Sequence, residues 1–351
     1  MTASRRIESV DIMRGMTIVL MILVNNAGDW ESFPSPLHHA EWNGLTFADL
    51  VFPFFLFIMG VSIYLSLSKG GFSLNIKILR RTLLLFSLGL LIGVAGQLVY
   101  SPGLSLAEAL RNIRIPGVLQ RIAVCYGIGA LVACTVSRRG IVWIVAAILS
   151  GYALLLCFGD GYLQDDPSNI LSKVDVAVLG NHIYSYSPLL DPEGILSTIP
   201  SIAHTLIGFL VGGLILEGRK ERVLLAGGAM AAIGIGFSFL LPVNKTIWSP
   251  TFVLVTCGLA SVLLALLYYF TDYRQDLRHN GFFKAFGCNA IFCYILADVL
   301  GWAAHLSGAR AAFMDAVGHG SVQSVIWPLI VILATFLIAW PLYKKKIYIK
   351  L

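Results

Sequence analysis

Residues able to do chemistry crowd into the first fifth of the chain: Asp11 and Arg14, Asn25 and Asn26, His38 and His39, then Asp49. Histidine is the side chain that gains and loses a proton near neutrality. A carboxylate ten residues after His39, Asp49, could orient an imidazole or cap a helix. Two adjacent histidines could also ligate a metal, but no HxxxH or HxxE spacing accompanies them, so no metal is expected. A single base or nucleophile fits better. Asn25 would act as an interhelical clamp, or as a donor to a reacting carbonyl in the manner of an oxyanion hole. It is expected to be buried and hydrogen-bonded. Asp11 and Arg14 are three apart and share a helix face. They form either an anchoring ion pair or one wall of a site for an anionic ligand. Taken alone, these residues reach as far as a polar pocket with a histidine in it.

The elements that carry them are apolar. The chain has 351 residues, 57% hydrophobic and only 13% charged, with a mean hydropathy of +0.81. Soluble domains carry about 25% charged residues. This composition excludes a soluble enzyme, a disordered chain and a nucleic-acid binder. A bilayer-spanning helix needs roughly 20 apolar residues. Apolar runs lie near 12–29, 46–67, 82–99, 117–136, 141–158, 199–216, 223–241, 250–270, 283–302 and 323–343. The expected fold is therefore all-α, a single polytopic membrane domain over 1–351 with about ten transmembrane helices. The 303–321 segment could hold a re-entrant piece.

Lysine and arginine fix the sides. One set of loops and helix ends holds Arg5, Arg6, Arg14, Lys69, Lys77, Arg80, Arg81, Arg138, Arg139, Arg219, Lys220, Arg222, Arg274, Arg278, Lys284, Lys344, Lys345, Lys346 and Lys350, nineteen of the 25. Arg111, Arg114, Arg121, Lys173, Lys245 and Arg310 lie on the other. The first set is expected to be cytoplasmic, with both termini inside. The net charge of +6 then reflects loop placement and not a nucleic-acid partner. The opposite side holds a long polar loop, 159–198, with Asp160, Asp165, Asp166, Asp175, His182, Asp191 and Glu193. Its length and its tyrosines and prolines suggest a folded lid. The six cysteines fall in or beside apolar runs and read as small buried hydrophobes, not disulfides. No small-residue cleavage site follows the first run, which is expected to be a retained span.

Several blocks carry a resemblance. Arg6-Ile-Glu-Ser-Val-Asp-Ile-Met-Arg-Gly15, Val24-Asn25 and His39-Ala-Glu-Trp-Asn-Gly-Leu-Thr-Phe-Ala-Asp49 resemble the heparan-alpha-glucosaminide N-acetyltransferase family, part of a wider transmembrane acyltransferase group. Arg114-Ile-Pro-Gly-Val-Leu-Gln-Arg121, Asn181-His182-Ile-Tyr184, Asp191-Pro-Glu-Gly-Ile-Leu-Ser-Thr198 and Pro242-Val-Asn-Lys-Thr-Ile-Trp248 follow in the same order. His39, directly before Ala40, belongs to the family block, and His38 does not.

The resemblance implies transfer of an acetyl group from cytoplasmic acetyl-CoA to an extracytoplasmic amine. It implies His39 as general base or acetyl carrier, Asn25 polarising the thioester carbonyl, and Asp49 beside them. Asp11, Arg14, Arg80 and Arg81 would meet the donor's phosphates, although Arg80 and Arg81 serve equally as surface anchors. Trp42, Asn43, His182, Asp191, Glu193 and Trp248 would shape the acceptor site, with Trp42 or Trp248 stacking on a sugar. Asp191 and Glu193 read equally as acids of a helix start. Arg114 and Arg121 are expected to be structural partners of buried carboxylates. The protein is expected to lack the lumenal domain that precedes the spans in the animal enzymes. A small amino sugar or a cell-envelope glycan is therefore as compatible an acceptor as a heparan chain. A homodimer in the bacterial inner membrane is expected from the resemblance alone. The rival reading is a transporter for an amino sugar or similar solute, supported by the span count and by breaks at Pro53 and Pro116-Gly117.

Overall fold

The computed structural model describes residues 7–164, 166–184, 190–275 and 280–349. Arg5, Arg6, Asp165, Arg278 and Lys350 lie outside the described residues. All regular structure among the described residues is helical. The helices are α1 (Glu8–Asn25), α2 (Val51–Leu67), α3 (Ile76–Tyr100), α4 (Leu106–Arg111), α5 (Val118–Thr135), α6 (Arg138–Phe158) and α7 (Ile170–Leu179). They continue as α8 (Ile195–Leu216), α9 (Lys220–Phe237), α10 (Pro250–Tyr268), α11 (Gly281–Cys288), α12 (Ala290–Leu306), α13 (Ala309–Val317) and α14 (Ser321–Lys344).

A helix occupies each of the ten apolar runs, but seven segments are long and apolar enough to cross a membrane. The number is eight if α11 and α12 form one broken span. The shortfall has a physical cause. Helices α1 and α9 have 18 residues each, close to the minimum for a span. Each also carries three charged side chains: Glu8, Asp11 and Arg14 in α1, and Lys220, Glu221 and Arg222 in α9. The 283–302 run is not a straight span either. It bends by 89° at Asn289, whose side chain donates to the Ile347 carbonyl at 3.1 Å and accepts from Ile349 N at 2.8 Å. An amide committed to another segment at that point favours a break. The 303–321 segment holds the short helix α13.

The chain groups into two compact units. The first comprises Met1–His39, Thr46–Val51 and Leu263–Lys350. Its centre is the pairing of α1 with α11. Gly15 and Gly287 let the two backbones touch: a Cβ at Gly287 would lie 1.8 Å from the Asp11 carbonyl oxygen. The N-terminus of α1 is capped from afar. The two carboxylate oxygens of Asp272 accept from Glu8 N and Ser9 N, each at 2.9 Å, which satisfies donors that a helix start leaves open. Lys284, buried on α11, pairs with Glu8 at 2.6 Å.

The second unit comprises Ala40–Leu45 and Phe52–Val262. Helix α5 packs on α3 and α8, and α6 packs on α8. Tyr152, Leu156, Leu171, Leu190 and Ile247 form one buried cluster, with Trp42 against it. The 159–198 segment contributes α7 and the start of α8. None of the six cysteines is in a disulfide; Cys125, Cys257 and Cys293 are buried, Cys134 and Cys288 are half-buried and Cys157 is exposed. Cys157 thus departs from the expected burial.

Candidate active site

The site in the first unit is built where α1 ends. Asn25 is the last residue of α1. Asn26 turns back to bond the Ile22 carbonyl at 3.0 Å. The chain then crosses to α14, with Gly28 N donating to the Ser324 carbonyl at 3.0 Å. A short turn over Ser35–Leu37 leads to His38 and His39. A second turn over Ala48–Leu50 presents Asp49, and Phe47 N ties it back to the Pro36 carbonyl at 3.2 Å.

His39 Nδ1 lies 2.8 Å from Asp49 Oδ1. Asp49 has no solvent exposure, whereas the His39 side chain is 51% exposed. The other Asp49 oxygen accepts from Thr46 N at 3.1 Å and Thr46 Oγ1 at 2.9 Å. The carboxylate is therefore fixed before it meets the imidazole. With Nδ1 donating to Asp49, Nε2 carries the ring's lone pair, the form a general base or nucleophile requires.

A cavity of about 400 Å³ is lined by Val24, Asn25, Trp30, Leu37, His38 and His39. Asn25 is exposed to it, not buried as expected, because it sits at the helix end and not within the span. Its carboxamide makes no hydrogen bond to a described residue, so its donor is available to a guest. His38 is used locally: Nε2 meets the Phe33 carbonyl at 3.0 Å, and the ring packs on Trp30 and Phe33. Trp30, not among the expected site residues, is 47% exposed.

Asp11 and Arg14 lie on α1 of the same unit and do pair, at 3.0 Å. The same Arg14 nitrogen also donates to the Gly287 carbonyl at 3.1 Å. This geometry ties α1 to α11.

The remaining candidates lie in the second unit and divide by how fully their polar groups are used. Asp191 is fully buried. It accepts from Arg114 Nε at 2.9 Å and from Tyr184 N at 2.8 Å on one oxygen, and from Glu193 N at 2.9 Å on the other. Arg114 also bonds Glu193 and lies over the Tyr184 ring at 4.7 Å. Burial works against the Arg114 charge, but the hydrogen bond to Asp191 and the charges of Glu193 and Asp191 outweigh it and raise its pKa above the ordinary value. The pairing of Arg114 with buried carboxylates is as expected; Asp191 is thereby spent on structure. Arg121 differs. It bonds Ser197 and the Gly194 carbonyl and lies over the Trp248 ring at 5.1 Å, with no carboxylate in an ion pair with it among the described residues.

Of the two expected stacking tryptophans, one is enclosed and the other half-buried. Trp248 is 1% exposed, enclosed by Phe52, His204 and Phe252, and held in the left-handed region at φ 52°. Trp42 donates its indole N–H to the Tyr162 carbonyl at 3.1 Å and packs on the buried cluster. Asn43 accepts from Asn244 at 3.2 Å. His182 Nδ1 meets the Ile113 carbonyl at 2.8 Å. Arg80 is exposed, and Arg81 lies over the Tyr126 ring at 4.7 Å. Among the described residues no group of three or more His, Cys, Asp and Glu converges as metal ligands.

Residues 6–240 match the family model described as heparan-alpha-glucosaminide N-acetyltransferase, catalytic. The chain belongs to this family. Every candidate named above except Trp248 falls within the matched stretch. Two relatives called heparan-alpha-glucosaminide N-acetyltransferase are each 30% identical to it. The mouse protein aligns over 100% of this chain and 61% of its own length. The human protein aligns over 99% of this chain and 60% of its own. The chain thus spans about three fifths of the relatives it matches.

Proposed function

We propose that the protein is a transmembrane acetyltransferase that moves an acetyl group from cytoplasmic acetyl-CoA to the amine of an extracytoplasmic amino sugar or glycan. One observation carries this reading: the His39–Asp49 dyad and the carboxamide of Asn25 stand at one cavity, in a chain whose family is named for N-acetyl transfer.

In this reading the acceptor amine, deprotonated in solution, attacks the thioester carbonyl carbon. His39 Nε2 takes the N–H proton as the C–N bond forms. Asn25 donates to the oxyanion that develops on the carbonyl oxygen. The C–S bond then breaks, and the imidazolium returns the proton to the departing thiolate. The products are an N-acetyl amine and free CoA. Asp49 holds the ring orientation throughout and stabilises the imidazolium. In the carrier variant, His39 Nε2 attacks the carbonyl and the C–S bond breaks with CoA leaving as its thiolate; the amine then takes the acetyl group as the C–Nε2 bond breaks, and its proton passes to the thiolate or solvent.

Acetyl-CoA is polyanionic and does not cross lipid. A site reached from both sides, with the donor inside, answers that constraint. Arg80 and Arg81, and Arg14 beside Asp11, are the proposed contacts to the donor's phosphates. Asn43, His182 and Glu193 are proposed on the acceptor side, with 159–198 as a lid. We further propose ten spans with both termini cytoplasmic, a bacterial inner-membrane location and a homodimer.

The test is release of CoA thiol by the detergent-purified protein supplied with acetyl-CoA and glucosamine. CoA release that needs the amine and is lost in His39→Ala supports the reading. No release by the wild type at millimolar substrates overturns it and favours solute transport.

A further inference from the structure

The wall of the cavity opposite in character to its polar groups is Trp30, and its setting is unusually fixed for an exposed side chain. Phe33, 4% exposed, anchors the turn from below. The Trp30 ring meets Phe33 at 5.9 Å and His38 at 6.1 Å between centroids, both at 68°. Phe33 and His38 meet each other at 5.7 Å, and the His38 bond to the Phe33 carbonyl closes the triangle.

The backbone beside Trp30 is pinned as well. Asp29 accepts from Glu31 N at 3.2 Å and Ser32 Oγ at 2.9 Å. Ser324 of α14 donates to the Asp29 carbonyl at 2.6 Å and accepts from Asp29 N at 2.9 Å. Ser321 donates to the Ser32 carbonyl at 2.6 Å. An aromatic side chain has only two χ angles to lose, and here the turn beneath it is already ordered. Such a ring presents a flat apolar surface at little further entropic cost on binding.

We propose that Trp30 is the residue that recognises the acceptor as a sugar: its indole packs against the C–H face of an aminohexose ring and delivers the 2-amino group toward His39. This rests on the acetyl-transfer reading for the role of His39, but not for the binding itself. The cavity volume suits one small ligand, since such sites run to roughly 300–1,000 Å³. Its polar groups, Asn25 and His39, stand with one apolar aromatic wall. That combination matches a ring with one C–H face and polar edges better than it matches a flexible aliphatic amine. Trp248 is enclosed and Trp42 does not line this cavity, so Trp30 is the tryptophan placed to do this.

The experiment is calorimetric titration of the purified full chain with glucosamine and, separately, with acetyl-CoA, for the wild type, Trp30→Ala and Trp30→Phe. Trp30 is exposed, so both variants are expected to fold. The expected result is glucosamine binding by the wild type, at least tenfold weaker in Trp30→Ala and within threefold of wild type in Trp30→Phe. Acetyl-CoA binding should stay within twofold throughout. Tenfold corresponds to about 1.4 kcal/mol. An unchanged glucosamine affinity in Trp30→Ala, an equal loss for acetyl-CoA, or no glucosamine binding by the wild type overturns the proposal. A wild type that binds glucosamine through Trp30 yet releases no CoA would leave this inference standing and sink the acetyl-transfer reading instead.

Discussion

His39 and Asp49 meet at 2.8 Å, one side chain half in solvent and the other fully enclosed. The enclosed partner sets the geometry, because its second oxygen is already held by Thr46. Replacing Asp49 with Asn keeps the shape and an acceptor for Thr46 but removes the charge that stabilises the imidazolium. We expect Asp49→Asn to lower kcat by roughly 10²–10⁴-fold, by analogy with hydrolase triads. The KM for acetyl-CoA should stay within a few-fold. Steady-state kinetics at saturating glucosamine check this, and a kcat near wild type would remove Asp49 from the mechanism.

Asn25 is exposed to the cavity at the end of α1, with its amide free of described partners. Truncating it costs no buried contact. Asn25→Ala should therefore fold normally while losing about 10²–10³-fold in kcat, the usual cost of one oxyanion donor. Thermal unfolding and CoA release measured on the same preparation separate the two effects. Loss of stability in step with activity would make Asn25 a packing residue.

The carrier and direct routes for His39 differ in one observable. With labelled acetyl-CoA and no amine, the carrier route leaves label on the protein, absent in His39→Ala. The direct route leaves none. Rapid quench followed by mass spectrometry decides it.

Arg114 and Asp191 make a different kind of prediction. Arg114→Met strands a fully buried carboxylate. Removing one partner of a buried pair costs about 3–5 kcal/mol. We expect a lower unfolding temperature in detergent, part of it regained when Asp191→Asn is added. A single variant as stable as wild type would show that the pair does not hold the start of α8.

Asp175, buried on α7, accepts from Ile195 N at 2.9 Å at the start of α8. Burial pushes its pKa from 3.8 up to about 6, against the opposing hydrogen bonds from Ile195 and Asp191 backbone. A carboxyl whose folded pKa is raised binds more protons folded than unfolded. Its contribution to stability is thus greatest below pH 4 and declines as pH rises through about 6. Asp175→Asn should be more stable than wild type at pH 7, by roughly 1–3 kcal/mol, with the difference vanishing near pH 4. Unfolding midpoints across that range test the sign.

Hydropathy made the helices legible, since a helix stands on each apolar run. It could not show the break at Asn289, which depends on a side chain reaching residues 347 and 349. By length and charge, seven or eight segments are apolar enough to cross a membrane, and α1 and α9, with charges at one end, are not among them. The dyad was legible through His39 and its family block. Trp30 was not, because nothing local distinguishes a tryptophan that faces a cavity from one that fills a core. Trp248 is the opposite case: expected as a ligand surface, it is enclosed by Phe52, His204 and Phe252.

The capping of α1 by Asp272 carries a consequence for how the chain is made. Asn25, His39 and Asp49 leave the ribosome early, but Asp272, Lys284, Gly287 and Ser324, which hold α1 and its following loop, are synthesised near the end. The second unit lies almost wholly between these two portions and has all its residues by Val262. Contacts so far apart in sequence form late. A nascent protein arrested before residue 272 would contain every proposed reactive side chain but none of the contacts from Asp272, Lys284, Gly287 and Ser324 that hold α1 and its following loop.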